Sequence, residues 1–141
     1  MNKQEIINSI RTVPDFPKKG IQFKDITTLL QDPELFSYTI DIFYEEFKNS
    51  NIDTVVGIES RGFIFAAPLA LRLNCGMVLA RKPGKLPSKI ISEEYSLEYG
   101  EDSIEMHVDS INVKSNVLIV DDLLATGGTA KSVCNLVAKL G

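Results

Sequence analysis

Val117–Thr129, VLIVDDLLATGGT, constrains this chain more than any other stretch. Four apolar residues, mostly β-branched, read as a short buried strand. The strand runs directly into two adjacent acids, Asp121 and Asp122, then into the small-residue loop Ala125-Thr126-Gly127-Gly128-Thr129 and an amphipathic helix pattern. A chain so ordered is committed to a strand–loop–helix unit with carboxylates at the strand's carboxyl end. The glycines let backbone approach an anion closely, and the N–H groups with the helix dipole supply positive potential. The acids can accept hydrogen bonds from a sugar diol. Hydroxyls and a phosphate on one ligand would satisfy both halves, which reads as a sugar-phosphate site. Taken alone, the same residues also describe an ordinary βα loop with a capped helix.

The 141 residues support one compact domain with a real core. A net charge of −4 and a pI near 5.0 argue against a general nucleic-acid or membrane-surface binder, whose footprint is normally basic. No apolar run approaches the roughly 18 residues of a membrane span, and MNKQEIINSIRTV lacks the apolar core of a secretory signal. Cys75 and Cys134 have apolar neighbours and no metal-ligand spacing, so two buried, reduced thiols and a cytoplasmic location are expected. The single histidine, His107, falls on the polar face of an alternating segment and is expected at the surface. No zinc-spaced cluster, no Ser-His-Asp set and no triphosphate P-loop can be assembled.

Along the chain, Ile6, Ile7 and Ile10 make a short helical stripe that ends before Pro14, and Pro14–Gly20 is an extended, turning segment. Asp32-Pro33-Glu34 starts a second helix, with Leu35, Phe36, Ile40, Phe43, Tyr44 and Phe47 at helical spacing. Thr54–Ile58 and Met77–Ala80 are predicted strands, and Gly62–Leu73 a predicted helix. Ile104, Met106 and Val108 alternate with Glu105, His107 and Asp109, which predicts an antiparallel hairpin turning around Gly100-Glu101-Asp102. Val117–Val120 is the central strand and Ala130–Leu140 the helix behind it. The fold class is therefore α/β: a mostly parallel, twisted sheet flanked by helices, with an antiparallel flap inserted. In such sheets ligands sit at the carboxyl ends of the strands, where Glu59–Gly62, Arg81–Lys85 and Asp121–Thr129 would converge.

DDLLATGGT resembles the phosphoribosyl pyrophosphate (PRPP) signature of type I phosphoribosyltransferases, in the form found in adenine phosphoribosyltransferases. Other segments carry the same resemblance. Gly57-Ile58-Glu59-Ser60-Arg61-Gly62-Phe63 is similar to the family's pyrophosphate loop, although spacing alone also allows Arg61 as a solvated first-turn residue. Arg81-Lys82-Pro83-Gly84-Lys85-Leu86-Pro87 is similar to the RKxGKLP segment that opens the family's flexible hood. Ser96-Leu97-Glu98-Tyr99-Gly100 is similar to the hood motif, and Gly20–Ile26 to the purine-binding segment GxxFRDI, with Lys24 in place of the usual Arg.

The resemblance implies a single phosphoribosyltransferase domain over 1–141, with a base-binding segment over 1–33 and a flexible hood hairpin over 82–109. It implies transfer of the phosphoribosyl group of PRPP to adenine, giving AMP and pyrophosphate. Asp121, Asp122, Ala125, Thr126, Gly127, Gly128 and Thr129 would bind PRPP. Glu59, Ser60, Arg61, Gly62, Arg81, Lys82 and Lys85 would hold its diphosphate, and Gln22, Phe23, Lys24 and Leu123 would bind adenine. Glu98 would assist proton transfer at the base, Tyr99 would close over the reacting groups, and Arg61 would act on the leaving group. Mg²⁺ would arrive mainly through PRPP, touching Asp121 or Asp122 through water, with no direct protein ligand. A homodimer is implied too. Family members continue beyond the helix that follows the PRPP loop, so C-terminal sheet strands are expected to be missing from this sequence. Two other readings share the PRPP loop: a phosphoribosyltransferase for another base, and a PRPP- or nucleotide-sensing regulator. The Phe23 and SLEYG segments favour adenine, and the N-terminal segment offers no nucleic-acid-binding module.

Overall fold

The computed structural model describes residues 1–96, 101–122 and 128–141. They form two compact units, Met1–Glu46 and Phe47–Gly141.

In the first unit, helix α1 (Lys3–Ser9) opens with a capping box. Asn2 Oδ1 accepts from the Glu5 N–H at 3.0 Å and the Asn2 N–H donates to Glu5 Oε2 at 2.7 Å. The isoleucine stripe seats this helix only in part: Ile6 and Ile10 are half-buried, Ile7 is 61% exposed, and no residue of α1 is fully buried. Strands β1 (Arg11–Val13) and β2 (Phe23–Asp25) pair antiparallel, Arg11 opposite Asp25 and Val13 opposite Phe23. Neither strand was foreseen. The predicted turning segment between them is present, with Gly20 at φ +89° and its N–H donating to Asp15 Oδ1 at 2.7 Å. Asp25 heads the short helix α2 (Thr27–Leu30) by accepting from the Thr27 N–H. Helix α3 (Pro33–Phe47) starts as predicted, with Asp32 Oδ1 accepting from the Glu34 and Leu35 N–H groups and Pro33 in the first turn.

The second unit is built on a parallel sheet in the order β4-β3-β7: Gly76–Ala80, Thr54–Ile58 and Val117–Val120. Thr54 lies opposite both Gly76 and Val117, so the three strands finish at the same edge. Helix α4 (Gly62–Leu73) follows β3 and packs on it so closely that a Cβ at Gly57 would fall 2.8 Å from the Ala66 Cβ. An antiparallel hairpin, β5 (Ile90–Ser96) and β6 (Glu101–His107), precedes β7, and α5 (Gly128–Leu140) follows it. The central strand, its neighbour β3 and helix α4 have their predicted limits. Glu101 and Asp102, expected in the reversal, instead belong to β6 and pair with Ser96 and Tyr95.

One core joins these pieces: Val56, Ile58, Ala80, Ile104, Met106, Ile111, Val133 and Leu136 are all buried. Each of the larger side chains contributes roughly 1.5–3 kcal/mol of burial, and the Ala80 methyl about 0.8 kcal/mol. Ile104 and Met106 come from the hairpin, so β6 is anchored in the core by its inner face. The cysteines are free as expected, but the expected burial fails: Cys75 is half-buried, its thiol donating to the Ile52 carbonyl at 2.9 Å, and Cys134 is exposed. Among the described residues, no helix is long and apolar enough to cross a membrane.

Candidate active site

The parallel sheet brings three loops to one edge. Glu59 follows β3, Arg81 follows β4 and Asp121 follows β7. Gly62 welds the first loop to the third. A Cβ there would lie 2.8 Å from the Val120 carbonyl oxygen and 3.1 Å from Asp121 Cα and Oδ1, so only a glycine lets the start of α4 rest on the end of β7. The Glu59–Ser60 peptide bond in this turn is cis.

That contact places Arg61 against the acid pair. Arg61 Nε lies 2.6 Å from Asp122 Oδ2, and the Asp122 side chain is only 8% exposed against 31% for Arg61. Asp122 Oδ2 is buried and has this charge for a partner, without an aligned hydrogen bond. The Asp122 N–H donates to Asp121 Oδ1 at 2.8 Å. Burial and the adjoining Asp122 carboxyl push the Asp121 pKa from the usual 3.8 up to about 6, against the smaller pull of the Asp122 N–H and Arg61. An acid pair held this way is short of donors, and sugar hydroxyls would supply them.

The second loop has the opposite balance. Arg81 Nε and the Lys82 N–H both donate to Glu59 Oε1 at 3.0 Å. The Arg81 guanidinium also lies over the Phe63 ring, 5.7 Å from its centroid. Burial pushes the Glu59 carboxyl up, but the Lys82 N–H, Arg81 and the Lys85 charge outweigh it, and its pKa ends below the ordinary value. Lys82 Nζ reaches Asp102 Oδ2 of β6 at 3.6 Å.

Glu59, Ser60, Arg61, Gly62, Arg81, Lys82, Asp121 and Asp122 thus share one sheet edge, Lys85 lies within electrostatic reach of Glu59, and Gly128 and Thr129 open α5. Gln22, Phe23 and Lys24 belong to the first unit. There the Phe23 ring meets the Phe16 ring edge-on at 5.1 Å and Lys24 Nζ donates to Thr12 Oγ1 at 2.8 Å. Glu98, Tyr99, Leu123, Ala125, Thr126 and Gly127 lie outside the described residues. The sequence reading missed Phe63, Asp102 and Glu105 as companions of these loops. Phe63 was signalled by its place beside Gly62, whereas the two acids carried no signal.

No group of three or more His, Cys, Asp or Glu residues able to hold a metal occurs among the described residues. Two adjacent carboxylates, one of them already paired with Arg61, fit a cation that takes most of its ligands from substrate oxygens and water.

A parallel sheet carrying an acid pair, an anion loop and a cation loop at one edge is the architecture of a phosphoribosyl transferase domain, and the sequence pattern of that family matches residues 25–141. The adenine phosphoribosyltransferase of Haemophilus ducreyi is 56% identical over 142 residues, which is 100% of this chain and 79% of that protein. That of Shewanella pealeana is 54% identical over 96% of this chain and 74% of its own length. Among solved structures, the adenine phosphoribosyltransferase of Thermoanaerobacter pseudethanolicus superposes with a TM-score of 0.95 at 51% identity, covering 98% of this chain and 80% of that one. The Saccharomyces cerevisiae enzyme, complexed with an imino-altritol bisphosphate and adenine, superposes with a TM-score of 0.91 at 43% identity, covering 97% and 80%. This chain belongs to the adenine phosphoribosyltransferase family, and it is a glycosyl-type transferase.

Proposed function

We propose that this chain transfers the 5-phosphoribosyl group of PRPP to adenine, forming AMP and releasing pyrophosphate, a purine-salvage reaction. The observation that carries the reading is the Arg61–Asp122 contact, which sets a cation for the diphosphate directly beside an acid for the ribose. Relatives at 54–56% identity bear the adenine name, which favours adenine over other bases.

Asp121 and Asp122 accept from the ribose hydroxyls and bear on the positive charge that develops at the ribose carbon as its bond to diphosphate breaks. Ala125–Thr129 and the N-terminal end of α5 receive the 5′-phosphate. The backbone N–H groups of the Glu59-Ser60-Arg61-Gly62 turn cradle the diphosphate while the Arg61 side chain pairs with it, and Arg81, Lys82 and Lys85 add charge-assisted bonds to it. Asp121 and Asp122 are the residues that would hold the water shell of a Mg²⁺ ion arriving with PRPP, and such an ion would supply positive charge to the diphosphate. Gln22, Phe23, Lys24 and Leu123 bind the base, Glu98 manages the purine proton, and Tyr99 closes over the site and excludes water that would otherwise consume PRPP. We place the enzyme in the cytoplasm as a homodimer.

The test is turnover of the purified chain with Mg²⁺, PRPP and each base in turn, following pyrophosphate release. Adenine is the expected acceptor. Turnover with a different base moves the substrate assignment, and PRPP binding without turnover points to a nucleotide-sensing role.

A further inference from the structure

We propose that Glu105, a residue of the hairpin and of neither substrate loop, is a positioning residue that shapes the Arg81–Lys85 loop for diphosphate. Its backbone exchanges both hydrogen bonds with Arg81, the Arg81 N–H to the Glu105 carbonyl at 2.9 Å and the Glu105 N–H to the Arg81 carbonyl at 2.7 Å. This antiparallel bridge stands outside the hairpin's own pairing, in which Glu105 lies opposite Ser92. Ile104 and Met106 on either side are 1% and 0% exposed, so the core pins the strand at this point. Alternation turns Glu105 away from that core. There its Oε1 accepts from the Gly84 N–H at 3.2 Å, and Gly84 sits at φ +82°, where a side chain would be strained. Glu105 therefore closes the turn that carries Arg81 and Lys82 on one limb and Lys85 on the other.

Electrostatics alone would not put it there. A carboxylate bonded to the turn between these cations lowers the potential of a loop that, on this reading, must attract a polyanion. Its place is explained if the geometry it imposes is worth more than the charge it cancels. The inference rests on the reading of this loop as a diphosphate site.

The experiment is calorimetric titration of the full chain with inorganic pyrophosphate and Mg²⁺, together with steady-state kinetics and melting temperatures, for wild type, Glu105→Ala and Glu105→Gln. Loss of a hydrogen bond to a charged acceptor predicts about ten-fold weaker pyrophosphate binding in Glu105→Ala and a matching rise in the KM for PRPP. The KM for adenine and kcat should stay within about two-fold of wild type. Glu105→Gln keeps an oxygen that accepts from Gly84 and drops the charge, so it should recover wild-type binding or exceed it. Wild-type affinity in Glu105→Ala overturns the proposal, as does a Glu105→Gln variant as weak as Glu105→Ala. Tighter binding in both variants makes the residue a charge brake only, and a parallel loss of both KM values with the melting temperature makes it merely structural. Either result also overturns it. A wild-type chain that binds pyrophosphate but makes no AMP defeats the assigned reaction and leaves Glu105 judged by the titration. One that binds no pyrophosphate defeats the positioning role as well.

Discussion

Arg61 and Arg81 each stand just past the end of a strand in the same parallel sheet, and each meets a carboxylate from a neighbouring loop, yet the two pairs are balanced in opposite ways. At Glu59 one oxygen collects Arg81 Nε and the Lys82 N–H, both at 3.0 Å, and the acid is held below its ordinary pKa. At the end of β7, Arg61 faces two adjoining acids, and Asp121 is pushed up to about 6. The first pair is satisfied and fixes the loops to each other. The second is under-supplied with donors and stays ready to take them from a ligand. A nearly buried carboxylate whose partner is a third exposed invites exchange, because diphosphate can claim Arg61 while hydroxyls claim Asp122.

The largest expected effect tests that difference directly. Asp122→Asn keeps the side chain's shape but removes the charge that we propose faces the developing positive ribose, and kcat/KM for PRPP should fall by about 100-fold or more. A variant with wild-type kcat/KM would remove the distinction between the two pairs. Gly62→Ala comes next, acting through backbone. Its Cβ would press on the Val120 carbonyl at 2.8 Å, which has no flexible end to yield, so a loss of about 2 kcal/mol is expected in denaturant titration. Gly76→Ala is the control. Nothing lies within 4 Å of its Cβ, and the change should stay within about 0.5 kcal/mol.

These contrasts also mark what could be read from the sequence. Val117–Val120 was legible because a β-branched run stops dead at two acids, and Gly62–Leu73 because apolar residues fill most of twelve positions, the right length for a helix. Arg11–Val13 was not legible, since a three-residue strand with two exposed residues draws its stability from pairing with Phe23–Asp25 across an intervening loop. Cys134 is exposed for a related reason: a helix turns about 100° per residue, and α5 buries the face carrying Ser132, Val133 and Leu136, which leaves Cys134 outside it whatever its own polarity. At the site, each loop announced its charges. Which arginine meets which acid depends on the order β4-β3-β7 and on the closeness that Gly62 allows, and neither is written in local pattern. Glu105 and Asp102 were invisible in the same sense.

A smaller effect sharpens the comparison through pH. The folded pKa of Asp121 lies above its unfolded value, so the folded chain binds the extra proton between them. Stability from this group is present in full below about pH 4, declines as pH rises toward about 6, and is flat above that. Asp121→Asn cannot ionise. Its melting temperature relative to ligand-free wild type should therefore climb across that window and then level off. A difference independent of pH would mean that Asp121 is not short of donors at all.

The smallest effect belongs to Glu59→Gln. The amide oxygen can still accept from Arg81 Nε and the Lys82 N–H, and the Phe63 ring still lies beneath the guanidinium, so only the charge term is lost. Arg81 and Glu59 are partly solvent-exposed, which limits that term to about 1 kcal/mol or less. The sign of its pH dependence is opposite to that of Asp121. A carboxyl held low stabilises the fold above its ordinary pKa and loses that contribution as pH falls through the folded value, so the melting curves of Glu59→Gln and wild type should converge in acid. Activity should fall by a few-fold, through the KM for PRPP, because the loop keeps its tie to Glu105 when Glu59 is neutral. A Glu59→Gln variant that loses as much activity as Asp122→Asn would show that both carboxylates act on the substrate, and the division between a fixing pair and an exchanging pair would have to be abandoned.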